Sequence, residues 1–270
     1  MQKRSPLLLF FFILALSLNA QNGTPAAAGA KGLAMGNTGT THTGIYSLFS
    51  NPAGLAELDQ ASVAVFGEQR FLIAELTILN AGVALPTKSG TFGLQIQQFG
   101  FDKFTEQKIG LAYARPLSKK IALGAKIDFL NTRIPEYGSQ ATFTFELGLQ
   151  SNISKRLALS AHVFSPLQVS VSEDYDIPSV FSLGLAYKSS DKLWVTLEAE
   201  KDIDHPTSVK AGIEYLVTES FFLRVGAATE PTLITFGIGY KKKNLSVDVA
   251  SAYHQDLGMM PALSAVYAFE

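Results

Sequence analysis

Apolar and polar residues alternate along most of this chain. In residues 141–150, ATFTFELGLQ, Phe143, Phe145 and Leu147 share one parity, while threonine, glutamate and glycine hold positions of the other. A period of two residues is typical of a β-strand whose two faces meet different surroundings. The pattern predicts a strand here and raises the question of whether protein or lipid covers its apolar face.

Runs of this kind, each followed by a turn, continue to the end of the chain. They number about fourteen, and no helical pattern interrupts them. The chain is therefore predicted to be all-β. The runs lie near 59–67, 76–85, 91–101, 105–116, 120–133, 140–151, 155–165, 179–188, 192–202, 207–216, 220–229, 232–241, 244–254 and 261–270.

The connections between runs fall into two alternating sets. Those near 87–90, 118–120, 152–156, 188–192, 217–220 and 241–244 are tight and polar. Most of the others are longer, as at 68–75, 133–139, 166–178, 202–206 and 255–260. Tight turns at one end and longer loops at the other are typical of bacterial outer-membrane barrels, whose tight turns face the periplasm. An even number of strands then places both chain termini on the periplasmic side.

The two faces of the runs differ in charge. One face is almost uncharged, whereas the other carries mixed charges that a soluble core would not tolerate. Because lipid offers no hydrogen-bond partners, only a closed barrel can pair every strand backbone within it. We therefore predict a closed antiparallel transmembrane β-barrel of about fourteen strands, surrounded by the lipids of a Gram-negative outer membrane. Its inward charges would pair across neighbouring strands or serve transport; they are Lys126, Asp128, Glu146, Glu198, Lys210, Glu214 and Arg224.

The N-terminal part of the chain lacks the strand pattern. Residues 1–20 combine Lys3 and Arg4 with an apolar stretch and a small residue at Ala20, which predicts a cleaved export signal. An uncleaved membrane anchor is the alternative. Residues 21–58 are rich in glycine, alanine and threonine, and we predict that they plug the lumen of a barrel formed by residues 59–270. Many glycines have inward parity, which indicates either strand curvature or a closely packed plug.

Composition excludes several classes of function. The 270 residues have a net charge of −1, so no polyanionic partner such as a nucleic acid is expected. The chain has no cysteine, and its four histidines lack metal-ligand spacing, so we predict no metal site and no cofactor. Ser160 and His162 share a strand face, as a serine nucleophile and its histidine base could. A third group that orients the histidine would be in place only if the strand register happened to supply it. We therefore expect that the protein is not an enzyme.

Two short motifs lie within the predicted plug. Residues 29–39 read GAKGLAMGNTG, and residues 47–56 read SLFSNPAGLA. Together they resemble the start of the FadL-like outer-membrane barrels, especially the PorV/PorQ branch associated with type IX secretion. The residues that carry the resemblance are Gly29, Gly32, Met35, Gly36, Asn51, Pro52, Ala53 and Gly54.

The resemblance implies a fourteen-stranded barrel with its N-terminal segment in the lumen. FadL-like members pass small hydrophobic molecules passively, through an opening in the wall at a kink in the third strand. PorV-like members act instead as non-enzymatic partners of a secretion or cell-surface complex. The resemblance leaves both functions open for this chain.

One irregularity in the third run bears on this choice. Phe92, Leu94 and Ile96 share a parity, but Phe99 and Phe101 take the other. One extra residue in a strand would exchange its faces, so the shift predicts a β-bulge and a lateral opening at Gln97, Gln98, Phe99 and Gly100. Alternatively, the strand leaves the membrane near Gln98, and the phenylalanines belong to an aromatic girdle.

Overall fold

A computed structural model describes residues 27–136, 138–167, 169–172 and 175–270. Fourteen of its strands form one closed antiparallel barrel, in which the first strand pairs with the last. The predicted export signal lies outside the described residues. The barrel strands are β1 (Ser62–Gln69), β2 (Thr77–Pro86), β3 (Thr91–Phe101), β4 (Phe104–Pro116), β5 (Ile121–Ile134), β6 (Gly138–Asn152), β7 (Leu157–Phe164), β10 (Val180–Lys188), β11 (Leu193–Asp202), β12 (Ser208–Thr218), β13 (Phe221–Thr229), β14 (Thr232–Lys242), β15 (Leu245–His254) and β16 (Gly258–Ala268). Between β7 and β10, β8 (Ser170–Ser172) and β9 (Tyr175–Asp176) form a separate hairpin.

The alternating pattern sets the two faces of the wall. On β6, Phe143 is 63% exposed and Leu147 is 47% exposed, whereas Glu146 between them is fully buried. The register opposes Ile127 to Phe145 on the outer face and Lys126 to Glu146 on the inner face. An apolar outer surface on a closed barrel requires hydrocarbon around it. Lipid therefore covers the apolar face, and the predicted fold class is confirmed.

The two ends of the barrel differ. Tight connections at 87–90, 117–120, 153–156, 189–192, 219–220 and 243–244 lie at one end, together with the C-terminus; we name this the turn end. The opposite end, named the loop end, carries the longer connections 70–76 and 165–179. Two connections at the loop end, 102–103 and 230–231, are nevertheless as short as hairpin turns.

The helices within the described residues are short, and none forms part of the barrel wall. They are the α-helix α1 (Gly29–Ala34) and four 3₁₀ helices, Gly44–Phe49, Pro52–Glu57, Arg70–Leu72 and Ala74–Leu76. Among the described residues, no helix is long and apolar enough to cross a membrane. Residues 27–58, named the luminal segment, lie inside the barrel, where helix α1 contacts β13 to β16 and the helix Pro52–Glu57 contacts β4 to β6.

The predicted bulge in β3 is wrong. The register of β3 with β2 and with β4 runs without a shift through Gln97, Gln98 and Phe99, and Gly100 still pairs with Thr105. Gln98 therefore faces outward and Phe99 inward, where it packs edge-on against Phe104. The parity of the apolar residues changes here without a bulge. The outward position 98 holds a glutamine, and the inward position 99 holds a phenylalanine. The barrel wall is continuously paired at these residues, so nothing in the strand pairing supports the lateral opening predicted there.

Candidate functional site: a lumen divided by its N-terminal segment

The luminal segment packs against a wall of small residues. Its side chains Leu48, Phe49 and Leu55 are fully buried, and they lie in one core with inward alanines such as Ala84 and Ala112. Burying a leucine or phenylalanine side chain contributes roughly 1.5–3 kcal/mol. The luminal segment is therefore held by an ordinary apolar core, in addition to polar contacts.

Two pairs of facing glycines receive the two motifs. Gly212 pairs with Gly226 across β12 and β13, and a Cβ atom at Gly226 would lie 2.1 Å from the backbone nitrogen of Gly36. Gly124 likewise pairs with Gly148 across β5 and β6. At these positions the glycines make room for the luminal segment, which favours close packing over strand curvature as their explanation.

The second glycine pair receives the turn at residues 51–53. A Cβ atom at Gly124 would lie 2.4 Å from the backbone nitrogen of Ala53, and one at Gly148 would lie 2.0 Å from the Asn51 side-chain oxygen. That oxygen accepts a hydrogen bond from the Ala53 nitrogen at 3.1 Å, which caps the helix that begins at Pro52. The Asn51 amide also donates to the Thr40 carbonyl at 2.8 Å, so this motif links two parts of the luminal segment.

The first motif docks through its backbone. The Gly36 nitrogen donates to the Thr235 hydroxyl at 2.8 Å, and that hydroxyl donates to the Ala34 carbonyl at 3.0 Å. Gly36 has a positive φ of 74°, and a Cβ atom there would meet the carbonyl oxygens of Ala211 and Ala227. Both the backbone conformation and the contact explain a glycine at this position. Gly29 and Gly32 lie in helix α1, and a Cβ atom at either would be closer than 3.0 Å to its neighbours.

The inward charges form three networks, each of which binds the luminal segment. In the first, the Lys126 ammonium lies 2.8 Å from Glu146 and donates to the carbonyl of Leu48 at 3.2 Å. Glu146 also contacts His162 at 3.0 Å. Asp128 lies 3.8 Å from Lys126, so the structure brings together Lys126, Asp128 and Glu146 as predicted.

The second network joins β12, β13 and β15. The Arg224 guanidinium donates to Glu214 at 2.6 Å and to Asp248 at 2.6 Å. From the luminal segment, Lys31 lies 3.2 Å from Glu214, and the Tyr46 hydroxyl donates to Asp248 at 2.5 Å. Lys31 and Tyr46 could not be predicted from the sequence, because a segment without a strand period does not indicate which of its side chains meets which position of the wall.

The third network holds residues 39 and 40. One Glu198 carboxylate oxygen accepts hydrogen bonds from the backbone nitrogens of Gly39 at 2.8 Å and Thr40 at 2.9 Å, and from the Thr40 hydroxyl. Lys210 lies 2.8 Å from Glu200 and 3.6 Å from Glu198. Lys210, on β12, thus forms its ion pairs with carboxylates of β11. It lies apart from Arg224, because the register opposes Lys210 to Ala228 on β13.

Two histidines lie near these networks, His42 in the luminal segment and His162 on β7. Burial lowers the pKa of His42 in the luminal segment to about 3, so its ring is neutral at ordinary pH and packs against Trp194. His162 contacts Glu146, but the Ser160 hydroxyl has no hydrogen-bond partner among the described residues. The structure therefore does not connect Ser160 to His162 as a nucleophile and base would be connected.

The luminal segment separates two cavities. The loop-end cavity has a volume of about 520 Å³, and the turn-end cavity has a volume of about 390 Å³. Thr40 lines the first and Thr41 lines the second, so adjacent residues of the luminal segment face different cavities at this point of the partition. Glu198 thus ties the predicted plug residues Gly39 and Thr40 to the wall where the two cavities meet the luminal segment.

No protein-family model matches this sequence, and no curated protein matches it. The fold is found among solved structures. The toluene transporter TbuX of Ralstonia pickettii superposes with a TM-score of 0.71 at 14% identity, covering 90% of this chain and 98% of that chain. The toluene transporter TodX of P. putida gives 0.69 at 14% identity, with 90% and 98% covered. A FadL homologue of Pseudomonas aeruginosa gives 0.65 at 14% identity, with the same coverage.

These similarities define the class of protein. The chain is a closed, fourteen-stranded transmembrane β-barrel with the fold of the FadL-type transporters. The predicted FadL-like resemblance is confirmed at the level of fold. The comparisons do not confirm the narrower PorV/PorQ assignment.

Proposed function

We propose that the protein is a passive channel for small hydrophobic molecules in an outer membrane, with residues 29–56 as its gate. The observation that carries this proposal is the division of the lumen into two cavities, with the neighbouring residues Thr40 and Thr41 lining one each. A displacement of the luminal segment at these residues would join the two cavities. The structural relatives are transporters of a hydrocarbon or homologues of FadL, which supports a hydrophobic cargo.

The alternative is a non-enzymatic accessory protein of a type IX secretion or cell-surface complex. The structural relatives are transporters and do not favour it, and no feature of the described part of the barrel surface supports it independently. The predicted lateral opening at Gln97–Gly100 also lacks support, because β3 is paired on both sides there. The proposed route runs through the lumen.

The test measures entry of a hydrophobic dye, N-phenyl-1-naphthylamine, into cells that produce the protein. We expect faster dye entry than in cells without it. The variant Ala228→Trp fills the loop-end cavity, because Ala228 is buried on the inner face of β13 and lines that cavity. It should reduce entry to the level of cells without the protein.

The matched control is Val225→Trp on the same strand. Val225 is 54% exposed on the outer, lipid-facing surface, so a tryptophan there leaves the lumen unchanged. Dye entry should persist in this variant. Equal dye entry in cells with and without the protein would overturn the proposal.

A further inference from the structure

The loop-end cavity has one apolar wall. Its apolar lining includes Leu33 of the luminal segment with Leu233, Leu257 and Met260 of the barrel. The cavity volume of about 520 Å³ falls within the range of roughly 300–1,000 Å³ that is typical of small-molecule sites. This wall suits the hydrophobic body of a small ligand.

A strained loop adds to the apolar wall. Phe71 and Leu72, in the connection between β1 and β2, have positive φ angles of 56° and 59°. Each such residue costs about 1–3 kcal/mol, and this kind of strain clusters at functional sites. Here the strained backbone directs the Phe71 ring onto the cavity, where it meets the His254 ring edge-on at 6.0 Å.

Another part of the lining, named the carboxylate wall, carries more carboxylates than cations. Glu198, Glu200, Asp202 and Glu230 form it with Lys210 as the single ammonium group, and the His205 ring lies 3.1 Å from Asp202. The remaining charges of the lining, Glu68 and Arg70, pair with each other at 3.5 Å. The cavity therefore has an excess of negative charge, although much of its lining is apolar.

An unpartnered hydroxyl lies beside these carboxylates. Ser208 is 4% exposed, and its hydroxyl has no hydrogen-bond partner among the described residues. It lines a side pocket of about 230 Å³, which shares Glu200, Asp202 and Glu230 with the main cavity. Buried polar groups are normally hydrogen-bonded, so this hydroxyl is available to a ligand, and its oxygen can accept a hydrogen bond from a donor group.

The ligand chemistry follows from these walls. Within the described ranges, no group of three or more His, Asp and Glu side chains could hold a metal ion. An organic ammonium group, with three donors and one positive charge, satisfies both the surplus carboxylates and the Ser208 hydroxyl. Resting on the proposed function, we propose that the loop-end cavity binds small molecules in which an apolar body carries an ammonium group.

The experiment compares three probes of equal length, hexylammonium, hexanol and hexanoate, on the purified full-length protein in nanodiscs by calorimetry. We expect hexylammonium to bind about tenfold more tightly than hexanol, which corresponds to 1.4 kcal/mol. Hexanoate should bind most weakly. The preference for hexylammonium should decrease as salt concentration rises.

Two variants test the carboxylate wall. Glu230→Gln removes an exposed carboxylate that has no ion-pair partner among the described side chains, so the barrel should fold normally. It should reduce the preference for hexylammonium over hexanol. The matched control, Glu136→Gln, changes an exposed carboxylate at the same end that does not line the cavity, and should leave the preference unchanged.

The outcomes separate this inference from the proposed function. If hexylammonium and hexanol bind equally while dye entry is fast, the ammonium preference is overturned and the hydrophobic channel stands. If hexylammonium is preferred and Glu230→Gln removes the preference, the inference stands even where dye entry fails and the channel proposal is lost. Binding of none of the probes overturns the inference.

Discussion

Gly226 on β13 has no space for a side chain, because its inward face touches the backbone of the luminal segment. A Cβ atom there would lie 2.1 Å from the Gly36 nitrogen and 2.4 Å from the Met35 carbonyl carbon. Both are backbone atoms, so no side-chain rotation can relieve the contact. A side chain at this position could therefore fit only if the backbone of the luminal segment shifted away from β13.

The variant Gly226→Ala should therefore destabilise the protein. Overpacking of a closed core costs about 1–3 kcal/mol, and we expect a loss of that size in the free energy of unfolding by urea in lipid bilayers. Gly67→Ala on β1 is the matched control, since its nearest neighbour would be the Leu79 side chain at 3.5 Å. Equal stability of the two variants would show that the luminal segment does not depend on this contact.

At the scale of elements, the strands could be predicted from the sequence and the luminal contacts could not. A strand such as β6 has lipid on one face and the lumen on the other, so Phe143 and Glu146 report the two environments directly. The luminal segment has no such contrast. Its contact between Gly39 and Glu198 joins residues 159 positions apart, which no local pattern encodes. The two motifs at 29–39 and 47–56 could be found from the sequence, but not the glycine pairs that receive them.

The contact of Glu198 with the luminal segment gives a prediction for the gate. Glu198→Leu would leave the backbone nitrogens of Gly39 and Thr40 without their acceptor, at a cost of about 1–3 kcal/mol for a buried donor. We expect faster amide hydrogen exchange at residues 39 and 40, measured by mass spectrometry, and faster entry of the hydrophobic dye.

Glu200→Leu is the matched control for the Glu198→Leu variant. Glu200 lies on the same face of β11, two residues away, but its contacts are with Lys210 and Ser182 on the wall. Amide exchange at residues 39 and 40 should stay close to the wild-type rate. Unchanged exchange in Glu198→Leu would contradict the role of this carboxylate in holding the partition.

At the scale of the whole molecule, charge is distributed unequally between the two ends of the barrel. Half of the 22 lysines and arginines lie in or beside the turns of the turn end. Exposed carboxylates are prominent at the loop end, as at Asp102, Glu136, Asp204 and Glu230. The basic residues of the turn end are Lys88, Arg115, Lys119, Lys120, Lys155, Arg156, Lys188, Lys192, Lys241, Lys242 and Lys243. An asymmetry of this size gives each end a distinct electrostatic surface.

The orientation of this charge pattern in the membrane can be tested because the chain contains no cysteine. We propose that the turn end and both termini face the periplasm, since tight turns do so in barrels of this class. Asp256→Cys, in the connection between β15 and β16, should react with a membrane-impermeant maleimide in intact cells. Lys242→Cys, exposed at the turn end, should react only after the outer membrane is permeabilised. The reverse labelling pattern would place the acidic cavity on the periplasmic side, and the cavity could not then collect molecules from outside the cell.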